Sequence, residues 1–408
     1  MHILLIHQAF ASLDEPGGTR HFELARHLVA SGHRVTVIAS PVSYITGGRT
    51  APESEGPLPD ERLPLTILRA RVYEAHHRSF FHRMLAFFSF MISSFWIGLR
   101  VRQVDLVWGT SPPIFQGITA WILARIKGAR FLFEVRDLWP EFAIAVGVLK
   151  SRVLIHLSEW LERLLYRSAD CVMVNSPGFV EHVRSRGARR VEMVPNGADP
   201  AMFDSLADGT AIREQHGFGD KFVALYAGAH GMSNDLEIVI DAAHLLQDAP
   251  IQIVLVGDGK EKPALVVRAA ELGLRNITFL PSVPKRDMPQ VLAAMDAGIA
   301  ILKPILAYKT TYPNKVFDYM AAARPVVLAI DGVIREVVES ADCGEYVQPG
   351  DPRALADSVR RLAADPQRAR RMGQAGRQYL EQNFSREEIA RRLIHVLEST
   401  MADRRAHA

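Results

Sequence analysis

The 408-residue chain has only two cysteines, Cys171 and Cys343, and they lie too far apart to form a disulfide framework, which fits a reducing compartment. Its fifteen histidines include no H-E-x-x-H pair and no two aspartates stand in D-x-D spacing, so a metal site has no support and no metal or cofactor is expected. Neither half carries a G-x-G-x-x-G after its first strand, which argues against a dinucleotide dehydrogenase. The interleaved aromatics of a single-strand binder are missing as well, so no nucleic-acid partner is expected. MLAFFSFMISSFWIGL, between Arg83 and Arg100, is sixteen residues without a charge. That is short of the ~20 needed to cross a bilayer. It is expected as a helix buried in its domain, or in part interfacial, and not as a span. The opening MHILLIHQAF has no basic leader and runs straight into a strand, so no signal peptide is expected and the location is read as cytoplasmic.

What is present points to a two-domain α/β protein. The length suits two domains of ~200 residues, and 48% apolar content with mixed charge belongs to a folded chain. The net charge of +3 is unevenly spread: from Glu61 to Arg130 ten Lys or Arg face three acids, and from Arg360 onward eleven face six. Such regions favour an anionic partner, unless they are merely solvated helix faces. In the first half HILLIHQAF, HRVTVIAS, LTILRARV, DLVWGTS, ARFLFEV and CVMVNS read as strands. Helical stretches such as GGTRHFELARHLVASG and SRVLIHLSEWLERLLYR separate them, with a long Pro- and Gly-rich loop from Tyr44 to Pro64. In the second half KFVALYAG, IQIVLVGDG, NITFLP, AGIAILKP and PVVLAI repeat the pattern. Strands this continuously apolar are covered on both faces, which means parallel sheets. The expected architecture is two tandem doubly wound Rossmann-like domains facing across a cleft: residues 1–197, a hinge at 198–219, residues 220–384, and a C-terminal helix at 385–408 returning to the first domain. Ligands of such sheets bind beyond the carboxyl ends of the strands, at the switch point.

The phrase TTYPNKVFDYMAAARPVV, Thr310 to Val327, lies between two of these strands. Pro313 suits a first helical turn, Thr310 or Thr311 can help cap it, and the free amides with Lys315 favour a phosphate. Asp318, one turn on, leans back toward the same place, where a carboxylate can hold a ribose diol. From spacing alone, an i,i+3 Lys–Asp surface pair explains these two residues equally well.

P-N-K-V-F-D-Y-M-A-A-A-R-P-V-V resembles the donor-binding signature of retaining glycosyltransferases of family four, which have the GT-B fold. The likeness is greatest to the WbuB-like, cell-surface polysaccharide branch. P-G-G-T-R-H-F-E-L-A, F-E-V-R-D-L-W-P-E, V-P-N-G-A-D-P-A-M-F and L-V-G-D-G-K-E-K-P-A-L agree in order, so the similarity covers almost the whole chain. The resemblance implies Asp318 as the ribose-binding acid of the family's E-x7-E pattern. The first acid, which touches the donor sugar, falls at Thr310. The family's Arg and Lys after the first strand of the second domain are missing, and His230 and Asn234 stand there. Diphosphate charge then falls to Lys315, Arg20 or backbone amides, with Pro313 and Asn314 beside them. Gly17, Gly18 and Thr19 lie in the loop used near the donor phosphate and acceptor. Gly257–Lys260 and Val283–Lys285 lie in loops that hold the base. Arg136 and Asp137 end a strand on the acceptor side, with Asp137 a candidate for acceptor binding or deprotonation, or else a turn cap, and Glu134 the competing carboxylate. Trp139 reads as packing. Ala323 replaces a glycine usual at the helix end.

What the resemblance implies is a metal-independent transfer, with retention, from a nucleotide diphosphate sugar, UDP by preference, to a glycan or polyprenyl-diphosphate-linked acceptor. The basic first half and the apolar helix would suit peripheral contact with the anionic inner face of the plasma membrane. The rival expectations are a UDP-N-acetylglucosamine 2-epimerase-like enzyme of the same fold and a non-catalytic nucleotide-sugar binder.

Overall fold

The computed structural model describes residues 1–43, 47–49, 64–74, 80–203 and 208–402. The loop expected from Tyr44 to Pro64 lies mostly outside the described residues. The chain forms two units, Met1–Pro195 with Glu387–Ala408, and Asn196–Arg386.

The first unit contains β1 (His2–Ile6), β2 (Arg34–Ala39), β3 (Leu65–Arg69), β4 (Leu106–Ser111), β5 (Arg130–Val135), β6 (Cys171–Val174) and β7 (Val191–Met193). They form one parallel sheet in the order β3-β2-β1-β4-β5-β6-β7. The second unit contains β8 (Phe222–Ala227), β9 (Ile251–Val256), β10 (Ile277–Leu280), β11 (Ala297–Ile301), β12 (Val326–Ala329) and β13 (Gly344–Tyr346), ordered β10-β9-β8-β11-β12-β13 and again parallel. Both orders reverse beside the first strand, which is the doubly wound pattern with its switch point between β1 and β4, and between β8 and β11.

Strand periodicity explains why β1 is apolar throughout. Ile3 and Leu5 join Leu24 and Leu28 of the Arg20–Ala30 helix on one face of the sheet. Leu4 and Ile6 join Phe90, Leu123 and Leu165 on the other. Each such side chain buried contributes ~1.5–3 kcal/mol, so neither face can be left open. Ile389, Leu393 and Leu397 of the Arg386–Ala402 helix complete the first face.

Two expected segments take a more specific form in the structure. The segment 198–219, expected as a hinge, is in good part packed into the second unit. Phe203 and Phe218 are buried in the core of the second unit and Thr210–Gln215 is helical, while 204–207 lie outside the described residues. The apolar helix runs from Phe80 to Arg100, longer than its uncharged stretch, and His82–Arg100 is long and apolar enough to cross a membrane by length and composition. It is not simply buried either: Ala86, Phe90 and Ser94 face the sheet, and the opposite side is exposed.

Candidate active site

In the second unit the loops leaving β8, β9, β10 and β11 meet at the switch point. Strands β8 and β11 pair only at Ala224–Ala297 and Leu225–Gly298, then part. Tyr319 fills the opening. Its hydroxyl accepts from the Ala227 amide at 2.9 Å and donates to the Ile299 carbonyl at 3.2 Å. A Cβ on Gly298 would lie 2.3 Å from the Tyr319 ring, which is why that strand position carries no side chain.

The β8 and β9 loops approach at distances only glycine allows. A Cβ on Gly257, whose φ is +146°, would sit 1.8 Å from the Gly228 carbonyl oxygen. The His230 amide donates to the Asp258 carbonyl at 2.8 Å, and the Glu261 amide donates to the His230 carbonyl at 3.0 Å. His230 is thereby fully buried, and both its ring nitrogens lack a partner among the described residues. Burial, with Lys262 and Lys315 nearby, lowers its pKa to about 4 against the pull of Asp258. It is therefore a neutral imidazole with one donor and one acceptor. Leaving such groups unmet costs ~1–3 kcal/mol, which a ligand hydrogen bond would recover.

Lys315 is the second residue of the Asn314–Ala321 helix, and its side chain leans back over the helix start. Its Nζ stands 3.8 Å from the centroid of the Tyr226 ring and 3.4 Å from Asn234 Oδ1. No carboxylate pairs with it among the described residues. Burial alone lowers its pKa to about 7. A half-buried ammonium without a counter-ion, beside free helix amides, is a site prepared for an anion. Ser233 ties this loop to the next strand: its hydroxyl accepts from Tyr308 at 2.5 Å and its carbonyl accepts from the Lys303 amide at 3.0 Å.

Other sequence-derived candidates behave differently. Asp318 does not offer the open carboxylate expected of it, because Lys285 Nζ lies 2.6 Å from its Oδ1. Thr310 and Thr311 do not cap the helix; their hydroxyls donate to Ala307 and Tyr308 carbonyls at 2.6 and 2.9 Å, closing the preceding turn. Pro313 occupies the N-cap position instead of the first helical turn, and Asn314 is exposed. Val283 packs against the core. Ala323 has φ +53°, the left-handed conformation that explains a glycine there. A cavity of about 270 Å³ opens at the other end of the sheet, beside Phe222, Asp296 and Pro325. Its Arg213 and Arg324 are spent on the carbonyls of Ala294, Lys221, Leu292 and Ala293, so it is a structural crevice.

In the first unit Gly17 (φ +155°) and Gly18 precede Thr19, the N-cap of the Arg20–Ala30 helix. No atom lies within 4 Å of a Cβ built on Gly18, while Thr19 Oγ1 donates to Glu23 at 2.5 Å. Arg20 is buried, ion-paired with Glu134 and donating to the Val194 carbonyl at 2.7 Å, which removes it as an open phosphate ligand. Glu134 also accepts from His21 at 2.6 Å and from Trp108 at 3.1 Å. Burial by itself would raise this carboxyl, but Arg20, His21 and Arg136 bring it down to about 2. Glu134 is thus a fixed buried anion and no competitor as a base. Arg136 donates to the carbonyls of Ser111 and Pro112 at 2.9 and 3.3 Å, joining the β4 and β5 loops.

Asp137 is the carboxylate that remains. It does not cap a turn: its side chain makes no hydrogen bond among the described residues, and burial, opposed by Arg136, raises it to about 6. His7, at the end of β1, is a residue that sequence reasoning misses. It is fully buried, 4.2 Å from the His21 ring, with both nitrogens unpartnered among the described residues. Burial, then His21, Arg136 and Arg20, holds it well below the usual histidine range. Its signal is a lone polar residue closing an apolar strand at the switch point.

Residues 17–197 match the Glycosyl transferase 4-like domain, and residues 208–379 match Glycosyl transferases group 1. The chain belongs to the glycosyltransferases. WcaI of Escherichia coli K12, which bears the name of a colanic acid biosynthesis glycosyl transferase, is 27% identical over 386 residues, covering 91% of this chain and 94% of its own. The D-rhamnosyltransferase WbpZ of Pseudomonas aeruginosa is 25% identical over 58% of this chain and 61% of its own. The sucrose-phosphate synthase structure from Thermosynechococcus elongatus has a TM-score of 0.78 at 20% identity, covering 98% of this chain and 99% of that one. Anabaena HepE, solved with UDP and glucose, has a TM-score of 0.72 at 18% identity over 98% and 100%. At these identities the structures show the shared GT-B fold. In this glycosyltransferase the residues beyond the sequence reading are Tyr226, Ser233, Tyr308 and His7, all placed by topology that no local motif announces.

Proposed function

We propose that this glycosyltransferase moves a sugar from a UDP-sugar to a glycan or lipid-linked acceptor in bacterial cell-surface polysaccharide synthesis, with retention and without a metal. The observation that carries the reading is Lys315: half-buried, without a carboxylate partner among the described residues, on a helix start at the switch point of the second unit. The Asn314 and Lys315 amides at the helix start, with the Lys315 ammonium, take the diphosphate, and His230 donates one further hydrogen bond. The ribose hydroxyls displace Lys285 from Asp318. In the reaction the bond between the anomeric carbon and the diphosphate oxygen breaks, and a bond to the acceptor hydroxyl forms on the same face. The acceptor proton passes to the departing phosphate oxygen, so no protein nucleophile is required. Charge growing on the leaving group is met by preorganised donors. Asp137, with its pKa raised to about 6, fits the task of holding the acceptor hydroxyl as a hydrogen-bond acceptor while the phosphate oxygen takes its proton. The names of the relatives support the polysaccharide setting, and the ligands of HepE support UDP. A lipid-linked acceptor would place the protein at the inner face of the plasma membrane.

The test is turnover of a panel of UDP-sugars with membrane extract as acceptor, in EDTA and with added manganese, the product's anomeric configuration being read by NMR. Full activity in EDTA with retained configuration is expected. Activity that needs manganese, or an inverted product, refutes the mechanism. Conversion of donor alone into an epimer would make the protein an epimerase-like enzyme.

A further inference from the structure

We infer that the ends of β1, β2 and β3 in the first unit hold a second contact for the acceptor: a subsite for one neutral sugar ring that is not the ring being glycosylated. The inference deepens the glycan-acceptor reading and rests on it for its purpose, although glycan binding can be measured without any transfer.

The subsite starts from one unmet atom. Gln8 follows β1, and its backbone amide donates to Gln116 Oε1 at 2.8 Å, which fixes the chain there. Its side chain is 7% exposed, and Oε1 has no partner among the described residues. A buried carbonyl oxygen is unfavourable in that state until a donor reaches it. Gln8 lines a cavity of about 20 Å³ together with Ser40, Val42, Val72 and Tyr73. A space of that size admits one hydroxyl or one water and no whole ring. Ser40 is not the missing donor. Its hydroxyl donates to the Val42 carbonyl at 3.2 Å and accepts from the Val42 amide at 2.9 Å.

The surface around the cavity identifies the hydroxyl as that of a sugar. Tyr73 borders the cavity and is 41% exposed, with its ring stacked on His82 at 5.9 Å between centroids and 19° between planes. The Arg71 and Tyr73 amides donate to the Ser93 and Ser89 hydroxyls at 2.8 and 2.9 Å, so the segment after β3 is held against the Phe80–Arg100 helix and the ring is set in place beforehand. An exposed aromatic face beside a recessed amide oxygen suits a pyranose, whose C–H groups lie on the ring while one hydroxyl enters the cavity. No charged side chain lines the cavity. Arg69 nearby is occupied, donating to the Ser40 carbonyl at 2.8 Å and pairing with Glu15 at 3.3 Å. An anionic group would find no counter-charge in this lining, so the ring it takes is neutral.

Position in the sheet shows which ring this is. Asp137 follows β5, and in the order β3-β2-β1-β4-β5 Gln8 stands two strands away and Tyr73 four. Across the sheet that is about 10 and about 19 Å, more than one sugar ring spans. The acceptor is therefore an oligosaccharide gripped at a ring other than the reacting one, and an earlier sugar transfer must have supplied it.

The experiment is a saturation-transfer NMR titration of the full chain with the glycan released by mild acid from the lipid fraction of the membrane extract. The parent protein should bind it. Tyr73→Ala and Gln8→Met should each weaken binding about five- to tenfold, and Tyr73→Trp should retain it. Tyr73 is exposed and Gln8→Met removes an unmet oxygen, so melting temperatures should not fall. UDP affinity by calorimetry should stay unchanged, which separates failure here from failure of the transferase reading. In the parent's transfer product, mass spectrometry should find the new sugar on a chain of at least two others. Absence of saturation transfer to the glycan, or Tyr73→Ala and Gln8→Met variants that bind like the parent, would overturn the inference and leave the cavity to water. So would a product carrying the new sugar on a single residue or directly on phosphate.

Discussion

Lys315 gives nucleotide binding a pH dependence that can be worked out from its surroundings. In the free protein its ammonium pKa is lowered to about 7 because burial removes water and no carboxylate replaces it. A bound diphosphate supplies the missing charge and restores a value near the ordinary ~10.4. Above pH 7 binding must then take up a proton: about 0.5 at pH 7 and about 0.9 at pH 8. Affinity should fall about tenfold per pH unit from pH 7 upward, or ~1.4 kcal/mol per unit. His230, at about 4, stays neutral throughout and does not confuse the measurement. The assay is UDP calorimetry at pH 8 in buffers of different ionisation enthalpy, where the slope of observed enthalpy gives proton uptake. Lys315→Arg, charged at every pH, should bind with no uptake, and Lys315→Met should bind weakly with none. Zero uptake by the parent protein at pH 8 would refute the placement of the diphosphate at this lysine. Stability without ligand follows the opposite logic. Between pH ~7 and ~10.4 the unfolded chain holds the proton and the folded one does not, so this group's contribution rises with pH in that window and is lost as pH falls toward 7.

Asp137, at about 6, should give the transfer rate an acidic limb below that pH, and Asp137→Asn should lower the rate and remove the limb in a pH–rate profile. Glu134→Gln leaves Arg20 buried without its counter-ion and should destabilise the first unit by ~3–5 kcal/mol in chemical denaturation. Because the Glu134 carboxyl is held at about 2, its contribution is complete above the unfolded value and disappears as pH falls through 2. Ala323→Gly relieves a left-handed alanine and should raise stability by up to ~1 kcal/mol, read as a higher melting temperature with unchanged UDP affinity.

Most of the architecture is legible because buried parallel strands are apolar end to end. HILLI, LVWGTS and IQIVLV announce themselves in any window. The strands that escape such a reading, VEM at β7 and GEY at β13, are three-residue edges with a carboxylate in the middle, and such runs carry no periodic signal. The site is legible where its chemistry is local, as at Lys315 and the glycines that let the β8 and β9 loops meet. It is not legible where a side chain's partner is remote. Arg20 looks like a free cation until β5 brings Glu134 to it, 114 residues on, and Asp318 looks open until Lys285 arrives from the β10 loop. The outward face of the 80–100 helix is hidden by a related ambiguity: an apolar run reports its composition, and only the packing of its neighbours shows which side meets solvent.

One unit of this protein is contiguous and the other is not. The stretch from Asn196 to Arg386 can be expressed from a single uninterrupted piece of gene, whereas Met1–Pro195 alone would lack the Ile389, Leu393 and Leu397 layer that seals one side of its sheet. The first unit therefore cannot close until the whole of the second has been made and the Arg386–Ala402 helix has followed it, so a stop after Arg386 would damage the first unit more than the second.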